Sequence, residues 1–345
     1  MKKTSIKDIA REAKVSPATV SRVINNSPLV NEATRRRIQE IIDKKHYKPN
    51  EVARGLYTKR TKTLGVILPD ITNHFFAKIF QEIEKATLSY GQTVLLCNTL
   101  NDYTFEKFYA ERLSEKQVDG LILLGGHSNK SQTDVSFVEL LKRDYFDTPI
   151  VIINGKLDGY ENYISVNSDE YGAMFTVLDY LLKLGHKNIG FLGGCRGITS
   201  TDQKLDAFYN AKKLYQFQMK DNWIHLSGYT FNHGIYSMQN LLKQKELPTA
   251  VFAVNDEVAA GAISVCYKNA IKVPDDISIF GFDNSFISIT TNPNITTMSH
   301  PYETLGESSV KLINKMINGE IKAGEKRYYN MTLIERDSCK AKKQR

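Results

Sequence analysis

A chain of 345 residues is long enough for two or three domains at roughly 150 residues each, and 41% hydrophobic with 24% charged residues fits a globular protein, not a disordered or fibrous one. No stretch approaches the roughly 18 apolar residues of a membrane span, and the basic start leads into no apolar segment of a secretory signal. The net charge of +8 is concentrated in residues 1–60, where fifteen lysines and arginines face six acids; that head carries +9 and the remainder −1. A small basic head on a nearly neutral body is the footprint of phosphate contact, against the plainer reading of a charged, solvated surface.

In the head, Ile6, Ile9, Ala10 and Ala13 share one helical face, and Lys14-Val15 makes a short turn. Ser16 is an N-cap and Pro17 takes the first position of a second helix, running to about Ile24, that buries Val20 with Val23 or Ile24. Two short helices joined by a tight turn match a helix-turn-helix. Asn31 caps a third helix with Ile38, Ile41 and Ile42 inside, Pro49 breaks the chain, and Asn50 caps a short fourth helix, E-V-A-R-G-L-Y.

From residue 61 the pattern alternates short β-branched runs with helical stretches. Strands are expected at 63–68, 93–97, 120–124, 150–153, 164–166, 189–192, 250–254 and 277–282, with helices such as 75–90 and 169–184 between them. Continuous apolar strands in βα units imply parallel sheets covered by helices on both faces. Such folds bind ligands beyond the C-terminal ends of the strands. There the sequence places Asn73, Phe75, Phe76, Asn154, Lys204, Tyr229, Asn255 and Asp283, with His300 on a segment crossing between lobes. Aromatic rings beside amides and carboxylates suit a polyol. Singly, Phe75 or Phe76 could equally be a helix-start core residue, and Asp283 the cap of its turn.

The string T-S-I-K-D-I-A-R-E-A-K-V-S-P-A-T-V-S-R-V-I-N resembles the head of the lactose/galactose repressor (LacI/GalR) family of bacterial regulators, and Y-K-P-N-E-V-A-R-G-L its hinge helix. The likeness continues through L-P-D-I-T-N-H-F-F, V-D-G-L-I-L, L-G-H-K-N-I-G-F-L-G-G, F-A-V-N-D-E-V-A-A-G, V-P-D-D-I-S-I-F-G-F-D and I-E-R-D-S, so it covers roughly residues 4–338. It implies an α/β protein: a helix-turn-helix head (1–49), a hinge helix and linker (50–61), and a two-lobed periplasmic-binding-protein-like core (62–340) of parallel sheets flanked by helices. The lobes are expected at about 62–160 plus 295–305 and about 161–294 plus 306–338.

The resemblance implies that Pro17, Ala18 and Arg22 meet base edges in the major groove, Arg22 bidentately on guanine and Ala18 on a thymine methyl. It assigns phosphate contacts to Ser16, Thr19, Ser21, Asn25 and Tyr47, with Ser5 and Asn50 alongside, and a minor-groove wedge to Leu56 with Ala53. Plain helix packing is the alternative for Ala18 and Ala53, and burial in a core for Leu56. It further implies that the nine strand-end residues line an effector cleft. The partners are then double-stranded operator DNA, a sugar or sugar derivative and a second copy of the chain; nothing in the sequence requires a protein coregulator, and no membrane is involved.

Three positions depart from the family's pattern. Lys14 stands where a glycine is usual, Asn154-Gly155 where many sugar-responsive relatives carry Asp-Arg, and Lys204 where an arginine is usual. An effector with an acidic group near Lys204 is one reading of the last. The four cysteines (Cys97, Cys195, Cys266, Cys339) form no C-x-x-C, and the histidines are dispersed, which suits a reducing cytoplasm and opposes a disulfide scaffold and a zinc site; no metal and no cofactor are expected. Phosphate-loop, nucleophile-elbow and zinc-protease motifs are absent, so no enzyme is expected. A solute-binding protein feeding a transporter is opposed by the basic head and the lack of a signal.

Overall fold

A computed structural model describes residues 4–24, 27–47 and 60–342 and divides into two units, residues 1–62 and 63–345. In the first, helices α1 (Ile6–Glu12), α2 (Pro17–Ile24) and α3 (Glu32–Lys44) enclose Ile9, Ala10, Ala13, Val20, Val23 and Ile38. Local chemistry starts each helix. Ser5 Oγ accepts the Asp8 N–H while the Asp8 carboxylate takes the Ser5 N–H. Ser16 Oγ accepts the Thr19 N–H at 3.1 Å, and Asn31 Oδ1 the Thr34 N–H at 2.8 Å. Lys14, in the turn between α1 and α2, has φ +52°, the left-handed conformation that glycine adopts without strain. The expected hinge helix, with Asn50, Ala53 and Leu56, lies outside the described residues, as does Asn25.

The second unit has two lobes. The first is built on a parallel sheet in the order β11-β5-β4-β3-β1-β2: β1 (Thr63–Leu68), β2 (Thr93–Asn98), β3 (Gly120–Leu124), β4 (Ile150–Ile153), β5 (Ile164–Ser168) and β11 (Lys326–Tyr329). It is covered by α4 (His74–Ser89), α5 (Tyr103–Glu115), α6 (Val135–Asp144) and α11 (Tyr302–Ile317). The second lobe has the parallel sheet β7-β6-β8-β9, comprising β6 (Ile189–Leu192), β7 (Ile224–His225), β8 (Ala250–Ala253) and β9 (Ser278–Phe280). Around it lie α7 (Glu170–Lys183), α8 (Thr199–Leu214), α9 (Phe231–Leu241), α10 (Asp256–Lys268) and the antiparallel pair β10 (Thr297–Ser299) with β12 (Thr332–Ile334). β3, β4 and β6 are buried along their whole length, which explains their unbroken apolar sequence.

The lobe boundaries differ from the expected ones. β5 pairs with β4, and α11 with β11 belongs to the first lobe, whereas 295–299 and 332–342 belong to the second. Leu305, Val310, Leu312 and Ile313 of α11 share a core with β1, β3, β4 and β5. The chain therefore crosses three times, near residues 169, 300 and 330, where the expected boundaries put the crossings near 160, 295 and 305. The crossings are tied together: the Asp169 N–H donates to Tyr329 O at 2.8 Å, and His300 Nδ1 lies 2.7 Å from Ser168 Oγ.

Candidate ligand cleft and nucleic-acid-binding head

Between the lobes lies a cleft of about 460 Å³, and all nine strand-end and crossing residues expected from the sequence line it. Many of their polar atoms already hold the cleft's own walls. Asn73 caps α4, its Oδ1 accepting the Phe75 N–H at 3.0 Å. Phe75 and Phe76 then present two rings edge to face, 5.2 Å apart, that both line the cleft and pack on the first lobe's core. Asn255 caps α10 through the Val258 N–H and donates from Nδ2 to Tyr229 O at 2.8 Å. The Tyr229 hydroxyl, pushed up to about 12 chiefly by burial, bonds Thr201 Oγ1.

His300 is 3% exposed and stands between Ser168 Oγ and Asp283 Oδ1, the latter 3.1 Å away. Asp283 has φ +97°, and its carbonyl accepts from the Tyr302 hydroxyl at 2.7 Å. Asp256, behind it, accepts from Ser285 N, Ser285 Oγ and Thr297 Oγ1; burial, then the charge of Asp283, raise its carboxyl to about 8. Arg336, from the I-E-R-D-S motif, clamps the same loop, donating to Asn284 Oδ1, Ile295 O and Ser288 Oγ.

The structure accounts for two departures. Asn154 sits at φ +50° and its Oδ1 accepts the Ser168 N–H at 2.6 Å, leaving its buried Nδ2 without a partner. A Cβ on Gly155 would lie 2.5 Å from Ser128 O, so no side chain fits there. Lys204 is not available to an acidic ligand group: its side chain is buried, its Nζ lies 2.6 Å from Glu170 Oε2 and 4.3 Å from the Phe282 ring centre.

Sequence reasoning missed other lining residues, among them Asp70, Asp102, Glu106, Glu170, Cys195, Ser200 and His233. Asp102 and Glu106 follow β2 and Glu170 follows β5, so the same strand-end rule applied to those strands finds them. Glu106 is 2% exposed and its Oε2 takes both the N–H and Nδ1 of buried His127 at 2.8 Å. Direct contacts close one side of the cleft: the Ser131 N–H donates to Gly197 O at 2.9 Å, the Ser200 N–H to Asn129 Oδ1 at 3.3 Å, and Ser131 Oγ to Asp202.

On the head, α2 turns Val20 and Val23 inward and leaves Pro17, Ala18 and Arg22 exposed, so Ala18 is not a packing residue. The Arg22 guanidinium has no hydrogen-bond or ion-pair partner among the described residues, whereas Arg11, Arg35, Arg36 and Lys45 pair with Asp8, Glu32, Glu32 and Glu12. Thr19 and Ser21 are half-buried, Ser5 and Ser16 exposed at their caps, and Tyr47 packs against the head's core.

Residues 5–50 match the model of bacterial regulatory proteins, lacI family, and residues 178–339 that of a periplasmic binding protein-like domain. Catabolite control protein A of Priestia megaterium is 35% identical over 92% of this chain and 93% of its own. The chain belongs to the lacI family of bacterial regulatory proteins. It is a transcriptional regulator and not an enzyme. The lac repressor dimer bound to operator and an anti-inducer shares the fold, with a TM-score of 0.85 at 23% identity over 99% of this chain and all of the other. A family regulator from Enterococcus faecium with bound ribose is 26% identical over 81% of this chain and all of its own, with a TM-score of 0.69. Among the described residues no helix is long and apolar enough to cross a membrane.

Proposed function

We propose that this regulator is a cytoplasmic repressor of a carbohydrate-utilisation operon, reading a palindromic operator as a homodimer and answering to a sugar in the cleft. The observation that carries the reading is the convergence of Phe75, Phe76 and Tyr229 with Asn73, Asn154, Asn255 and Asp283 around one cavity. Rings there stack on an apolar sugar face while amides and carboxylates take its hydroxyls. The basic head supplies most of the DNA affinity, with Arg22, Ala18 and Pro17 at base edges and Ser5, Ser16, Thr19, Ser21 and Tyr47 near phosphates. The sugar changes the open–closed balance of the lobes and, through it, the segment between head and core; such coupling is worth about 1–3 kcal/mol.

Two measurements on the full chain test this. Melting against a panel of sugars should give at least one that raises Tm, since saturation at 100 Kd stabilises by about 2.7 kcal/mol. That sugar should then change affinity for a palindromic operator and leave scrambled DNA unaffected. Melting that no sugar moves, or operator binding that no stabilising sugar alters, overturns the carbohydrate reading.

A further inference from the structure

We infer that the cleft selects its effector by charge, taking a hydroxylated ring that is uncharged or bears an ammonium group and excluding phosphate esters and uronates. The inference rests on the cleft being the effector site. Five carboxylate side chains line it, Asp70, Asp102, Glu106, Glu170 and Asp283, against a single lysine, Lys204, and no arginine. The lysine is spent on Glu170, and Glu106 is met by His127. Asp70, Asp102 and Asp283 remain, and among the described residues no lysine or arginine lies within ion-pairing distance of any of them. The Asp283 carboxylate lies 3.1 Å from His300 Nε2 and within the electrostatic reach of His74, both imidazoles and neither a fixed cation, and the nearby Lys130 ammonium is engaged 3.8 Å from the ring centre of Tyr103.

A second observation points to a ligand group. The Glu106 side chain is almost wholly buried, yet only its Oε2 is bonded to His127, and among the described residues no donor reaches its Oε1. That oxygen can accept a hydroxyl or an ammonium and repels a phosphate. The field extends to the surroundings: burial first, and then the charges of Asp283 and Asp70, raise the Glu257 carboxyl. One sign of charge within low-dielectric walls concentrates counter-ions and repels like charges.

Cys195 lines the cleft and is partly exposed, so it reports this field whatever the effector is. In a Cys97→Ser background, the thiol is treated with two methanethiosulfonates of similar size, ethylammonium and ethylsulfonate, and modification of Cys195 is followed by mass spectrometry. After division by each reagent's rate with a small free thiol, the cation should react about tenfold faster at low ionic strength, and salt should shrink the ratio. Glu170→Gln, which frees the Lys204 charge, should lower it. A ratio near one, or a faster anion, overturns the inference while leaving the cleft's role intact. Should Cys195 be unreactive, Ser200→Cys supplies the thiol on the same wall and the same ratio decides. Protection of the thiol by a hexose and its amino analogue, but not by its 6-phosphate or uronate, is the expected selectivity; protection by the acidic members overturns it. Thiols that no sugar protects, with the cation still favoured, overturn the effector reading instead.

Discussion

Ser168 Oγ lies 2.7 Å from His300 Nδ1, a bond joining the first and second crossings between the lobes. Both residues are buried, and His300 passes the link on to Asp283 in the second lobe. Ser168→Ala removes the hydroxyl and strands a buried ring nitrogen, at a cost of about 1–3 kcal/mol. We expect a lower Tm for the core, and a weaker transmission of sugar binding to operator affinity than the stability loss alone accounts for. An unchanged Tm would contradict this role for the bond.

The Lys204–Glu170 pair is buried on both sides. Lys204→Met leaves the carboxylate uncompensated and should destabilise the core by about 3–5 kcal/mol, whereas the double change with Glu170→Gln should recover much of it. A chemical-denaturation cycle of the two single variants and the double variant measures the coupling. Additive losses would show that the two charges act independently.

Lys14 carries the left-handed turn between α1 and α2 with a side chain in place. Lys14→Gly relieves about 1 kcal/mol of backbone strain, so the head should melt higher. A head that melts lower would mean that Lys14 makes a compensating contribution of its own.

Arg22 is exposed on α2 with no acid partner among the described residues. Replacing it with alanine should cost about 1–3 kcal/mol on the operator and relax the preference at one base pair per half-site. Titration of a set of single-base operator variants reads both effects. Uniform weakening across all sequences would reassign Arg22 to a phosphate.

Asp256 titrates near 8 in the folded protein, raised by burial first and by Asp283 next, from an ordinary 3.8. Between those two values the unfolded chain has lost a proton that the folded chain keeps, so stability falls as pH rises through the window and levels off above it. Asp256→Asn, a mimic of the protonated side chain, should flatten the fall in Tm between pH 4 and 8. A slope that the substitution does not change would place the titration elsewhere.

Much of the architecture is legible locally. β1, β3, β4 and β6 are short apolar runs without charged residues, rich in β-branched residues and leucine, because both faces are covered, and the head helices announce themselves by Ser5, Ser16-Pro17 and Asn31. β11, with the sequence K-R-Y-Y, escapes because it is short and half polar. The lobe assignment of β5 and α11 is set by partners distant in sequence, which no local pattern encodes. The cleft residues were legible through the strand-end rule. Lys204 misleads because its apparent charge is cancelled by Glu170, 34 positions away.

The contact between Gly155 and the Ser128 carbonyl has a consequence for engineering. A side chain at residue 155 needs the neighbouring loop to be held further off, because here the Ser128 carbonyl fills the space that even a Cβ would take. Transplanting another regulator's ligand preference by exchanging cleft side chains will fail at this position unless residues 126–131 are rebuilt with it. Part of this protein's chemical memory is written in where two stretches of main chain touch.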